Sequence, residues 1–113
     1  MPLYAIIGFD HPPHSMPLRE EFRPGHRAYV REHGQDVRMA GAFWDNDGNQ
    51  CGSLFLVEGE SAEAVREWFS KEAFCAAGVY KDIHVIEYRV AFSQIEPKGW
   101  GPAAAPVVVP AKT

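Results

Sequence analysis

The pentapeptide Asp45-Asn46-Asp47-Gly48-Asn49 constrains the fold of this chain more than any other feature. Asp, Asn and Gly suit the backbone of a tight turn, and Asp47-Gly48 is a favoured hairpin dipeptide. The turn separates two short apolar runs, residues 37–43 and 52–57, so the middle of the chain reads as a β-hairpin. Helical periodicity flanks it on both sides. Upstream, Pro24 fits a first helical turn, and His26, Tyr29, Val30 and His33 recur at helical spacing before Gly34 stops the helix. Downstream, Ser61 reads as an N-cap, and Ala64, Val65, Trp68 and Phe69 form one apolar stripe. Residues 73–77 hold a further short helical turn.

Two more strands lie outside these helices. Residues 3–8 are a short apolar run ending at Gly8. In residues 83–92, His84, Ile86, Tyr88, Val90 and Phe92 alternate onto one face. The connection 9–23, rich in proline and histidine, is long enough to be a functional loop. The order β-α-β-β-α-β is the α+β, ferredoxin-like pattern, a four-stranded antiparallel sheet with two helices on one face. With 113 residues there is room for one domain, taken as 1–94, with 95–113 as a tail. The other sheet face needs a cover. Tyr4, Ile6, Phe55 and Tyr88 are expected on it, which predicts a homodimer with sheets face to face and leaves larger homo-oligomers open.

Composition narrows the function classes. A hydrophobic content of 46% is enough for a core and excludes a disordered chain. The net charge of −4, with no basic block, argues against a nucleic-acid partner. No apolar run approaches the roughly 20 residues of a membrane-spanning helix. Cys51 and Cys75 are too few for a disulfide framework, are not spaced as a metal pair, and read as buried small hydrophobes. The apolar N-terminus lacks the positive region of a signal peptide, so a cytoplasmic location is expected.

Among the chemistry-bearing residues, His26 is the most informative, because it shares the inward stripe of the first helix. It is either a core histidine held by one hydrogen bond or a general acid/base. Asp10, at the end of the first strand, is either a turn residue or the carboxylate that fixes the His26 tautomer. His11 and His14 have H-x-x-H spacing, but Pro12 and Pro13 deny them a helix and no metal site is expected. His33 falls at a helix C-terminus and His84 on a sheet face. Arg23 can clamp an anionic substrate or pair with a surface carboxylate. Ser53 can donate into a pocket, but lacks the signature of a nucleophile. No phosphate loop or dinucleotide fingerprint is present.

In series, the segments LYAIIGFD (3–10), RPGH (23–26), MAGA (39–42), DGNQCGSL (47–54) and AAGVY (76–80) resemble the YCII-related (YciI-like) family. The resemblance runs from about Leu3 to Phe92. It implies the dimeric α+β barrel form of the ferredoxin-like fold and a His/Asp-centred active site, with the histidine at His26 and the aspartate at Asp10. Ser53 carries over as a pocket residue. The His/Pro-rich stretch between Asp10 and Arg23 departs from the family pattern, as does the short interval from His26 to Ala40.

The expected function is a cofactor-independent enzyme acting on a small cyclic or aromatic metabolite. The resemblance points to elimination or hydrolysis, including dehydrochlorination of chlorinated hydroxyquinols. His26 moves the proton, Asp10 orients it, Arg23 and Ser53 contact substrate, and Phe9, Tyr29, Phe43 and Trp44 form apolar walls. The alternatives are a non-catalytic small-molecule-binding or accessory module on the same fold, and a cofactor-free oxygenase.

Overall fold

The computed structural model describes residues 1–95. Its elements are β1 (Leu3–Asp10), α1 (Met16–His33), β2 (Val37–Trp44), β3 (Gln50–Glu58), α2 (Ala62–Ser70), α3 (Ala73–Ala76) and β4 (Tyr80–Glu87). The strands form one antiparallel sheet in the order β2-β3-β1-β4. This is the expected βαββαβ arrangement, with α3 as the short helical turn. The hairpin closes as the turn residues require. The Asp45 carboxylate accepts the N–H groups of Asp47 and Asn49, each at 2.9 Å, and Gly48 has φ +81°. Ser61 caps α2, its hydroxyl accepting the Ala64 N–H at 3.0 Å.

Three sequence expectations are corrected. First, α1 begins at Met16 and not at Pro24. Pro17 takes the first-turn position, His14 Nδ1 accepts the Met16 N–H at 3.1 Å, and Pro24 lies inside the helix. The long loop shrinks to residues 11–15. Second, β4 runs from Tyr80 to Glu87, not to Phe92. Its partner sets the limit. Tyr4 pairs with Glu87, the Tyr88 N–H reaches the Leu3 carbonyl, and β1 offers nothing further to pair with.

The third correction concerns which side of the sheet is open. Ile6 pairs with Phe55 and Tyr4 with Val57, and all four face the helices, where Val65, Phe69, Phe74, Val79 and Tyr80 complete the core. The open face carries the alternate residues: Ile7 and Phe9 on β1, Leu54 and Leu56 on β3, and His84 and Ile86 on β4. A strand has a period of two, so an error of one residue exchanges the faces completely. Of the residues expected outside, Tyr88 alone is exposed.

Candidate functional site

Two side-chain pairs anchor α1, one to the end of β1 and one to α3. In the first, Asp10 accepts two hydrogen bonds from Arg19, Nε to Oδ2 at 2.7 Å and Nη2 to Oδ1 at 2.8 Å. Its Oδ2 also accepts the Ser15 N–H at 3.1 Å. The same Arg19 Nη2 donates to Ser53 Oγ at 3.0 Å, and the Tyr80 hydroxyl donates to that oxygen at 2.8 Å. All four side chains are buried. Burial opposes the Arg19 charge, but the hydrogen bond to Asp10 and the acidic groups around it raise its pKa overall. Burial drives the Tyr80 phenol far above its usual range, against the Ser53 hydrogen bond, so it stays a protonated donor.

In the second pair, His26 Nδ1 meets Glu72 Oε2 at 2.5 Å, and the Glu72 side chain is completely buried. Glu72 is the N-cap of α3, and its Oε2 accepts the Phe74 N–H at 3.1 Å. An ionised carboxylate is acceptor-only, so this contact is a hydrogen bond when Nδ1 carries a proton. Phe74 stacks on His26, with centroids 4.2 Å apart and planes 7° from parallel, and Phe55 meets the ring edge-on at 6.0 Å. The other face of the network reaches the same phenylalanine, since the Arg19 guanidinium lies 5.1 Å from the Phe74 centroid.

His26 therefore has a carboxylate partner, but Asp10 is not it. The reason is the helix start. Arg19, not His26, occupies the part of α1 next to the end of β1, and His26 is seven residues further on, about 10 Å along the axis. Arg19 and His26 share a face because seven residues are nearly two turns. Glu72 was invisible to a motif search centred on histidine and aspartate. The available signal was its place just before the helical turn 73–77, where an acidic N-cap is favoured.

The remaining candidates separate. Arg23 is half-buried and donates to Gln50 Oε1 at 2.8 Å. Ser53 belongs to the Asp10–Arg19–Tyr80 network. Tyr29 is a strut, donating to the Trp68 carbonyl at 2.8 Å. Phe9 and Phe43 do come together, stacked at 5.9 Å with His84 edge-on to Phe9 at 6.5 Å, but on the open face. They cannot wall His26 of their own chain. Trp44, at the end of β2, is 48% exposed. Cys51 and Cys75 are half-buried, not buried. Among the described residues no group of three His, Cys, Asp or Glu is placed to hold a metal ion. A cleft of ≈ 530 Å³ at the C-terminal end of α1, lined by His33, Val37, Val57 and Trp68 among others, contains none of the paired groups.

The element order and the sheet order define an α+β, ferredoxin-like fold. The chain belongs to the YCII-related family, whose domain model matches residues 2–89. Among solved structures it is similar to the 5-chloro-2-hydroxyhydroquinone dehydrochlorinase of Burkholderia phenoliruptrix AC1100, solved in complex with 2,5-dihydroxybenzoquinone. That match has a TM-score of 0.68 and 23% identity over 77% of this chain and 93% of the other. A looser match, with Rv0793 of Mycobacterium tuberculosis, has a TM-score of 0.43 and 13% identity, covering 88% of this chain and 100% of that one. No curated protein matches the chain. Among the described residues no helix is long and apolar enough to cross a membrane.

Proposed function

We propose that this protein is an enzyme of the lyase or hydrolase type, moving a proton on a small cyclic or aromatic substrate through His26. The observation that carries the reading is the His26–Glu72 pair. A fully buried carboxylate meets one ring nitrogen, and the ring stacks on Phe74 with Phe55 edge-on; in this reading the other nitrogen, Nε2, serves the substrate. Such an arrangement lets an imidazole act as base and then acid without reorienting. Glu72 takes the orienting role that the sequence reading gave to Asp10. Asp10, bound by Arg19, Ser15 and indirectly Ser53, holds the N-terminal end of α1 in place. The active form is a homodimer joined through the open sheet faces.

The likeness to a dehydrochlorinase supplies a first trial substrate, 5-chloro-2-hydroxyhydroquinone, whose loss of HCl is read as chloride release. His26→Gln keeps an amide donor toward Glu72 but cannot carry a proton. It should lower kcat/KM by about 10²–10⁴-fold while the circular dichroism stays unchanged. Full kcat/KM in this variant would remove His26 from the chemistry. Saturable binding of hydroxylated aromatic compounds with no turnover of any of them would favour the non-catalytic binding module.

A further inference from the structure

Arg23 on α1 is a half-buried guanidinium whose side-chain hydrogen-bond partner is neutral. Arg19, Arg23 and Arg27 recur every four residues, so they lie in one row along the helix. Arg19 is matched by Asp10. Arg23 is not matched in that way. Its partner is the neutral amide of Gln50, and among the described residues it forms no ion pair. Burial, then the charges of Arg27 and Arg19, hold its pKa below the usual arginine range, with Glu20 opposing them. A half-buried guanidinium bonded to a neutral amide keeps donors that a bound anion can take.

The geometry gives that anion a place. Gln50 Oε1 occupies one of five guanidinium N–H groups, so a flat fork of donors remains. The Gln50 amide nitrogen, on the same side chain, is a further donor. Arg23 precedes His26 by three residues, which makes the two side chains neighbours on the helix surface. We infer that Arg23 and Gln50 form an anion anchor for the substrate, selecting aromatic or cyclic molecules that carry a planar two-oxygen anion such as a carboxylate one helical turn from the imidazole. This rests on the reading of His26 as the site's centre and names the substrate class that site takes.

Benzoate and benzamide test it, because they match in shape and differ in charge. Isothermal titration of the full chain should show benzoate binding at least 10-fold more tightly than benzamide, with the preference shrinking as salt is raised. In Arg23→Gln the preference should vanish while benzamide binding is kept. Arg23→Lys, which keeps the charge but not the fork, should retain part of it. His26→Gln should leave the preference intact, so failure of the catalytic reading and failure of the anchor give different results. Equal affinity of the wild type for both probes, binding of neither, or an undiminished preference in Arg23→Gln would each overturn the anchor.

Discussion

Arg19 and Asp10 show what a single buried residue does here. Both side chains are almost wholly buried, and each satisfies the other through two hydrogen bonds. Removing one partner strands a charge in the core, a loss of about 3–5 kcal/mol in comparable pairs. Arg19→Met should therefore lower the unfolding free energy by about that amount in a urea titration. Asp10→Ala combined with Arg19→Met should cost less than the two single changes added, since no charge is then left alone. The thiols give a pH test. Burial, then the charges of Asp45 and Asp10, push Cys51 above the ordinary thiol range, and burial, then Glu72, does the same for Cys75. A raised thiol pKa favours the unreactive neutral form. Both should alkylate with iodoacetamide more slowly than free cysteine at pH 8, gaining rate at higher pH than free cysteine does; fast labelling at pH 8 would contradict the burial.

At the scale of elements, strand and helix identities were legible because periodicity is a local signal. The hairpin turn, the α2 cap and the alternation in β4 are written in neighbouring residues. Three things were not, the first being the end of β4, whose alternation runs on to Phe92 while pairing with β1 stops at Glu87. The start of α1 was hidden because Pro17 and Pro24 both suit a first turn, and nothing local chooses between them. That one ambiguity concealed Arg19 and misdirected the search for the partner of His26. The sheet register was hidden because β1 and β3 are apolar on both faces, so Ile6 and Ile7 look equally suited to the core. Gly8 exposes the register experimentally. A Cβ there would lie 2.8 Å from the Tyr80 ring. Gly8→Ala should push that ring away, break its hydrogen bond to Ser53 and cost about 1–3 kcal/mol. Gly41→Ala, with nothing within 4 Å of the added carbon, serves as the control in the same denaturation experiment.

For the whole molecule, the unanswered demand is the open sheet face. Ile86 is 55% exposed there and Phe9 46%, beside Ile7, Leu54 and Phe43. Each such side chain left in water forgoes about 1.5–3 kcal/mol, and several together approach the stability of a small domain. A second copy offers the same face in return, so a two-fold pairing covers both at once. The corrected register decides how to probe it. Phe55 is 1% exposed in the helix-side core, so Phe55→Glu should abolish folding and says nothing about assembly. Ile86→Glu puts a charge on the open face while leaving the core intact. If the unchanged chain is the dimer proposed above, this variant should sediment as a folded monomer, with the far-ultraviolet spectrum preserved. If Ile86→Glu sediments as a stable dimer, the two copies do not meet through this face.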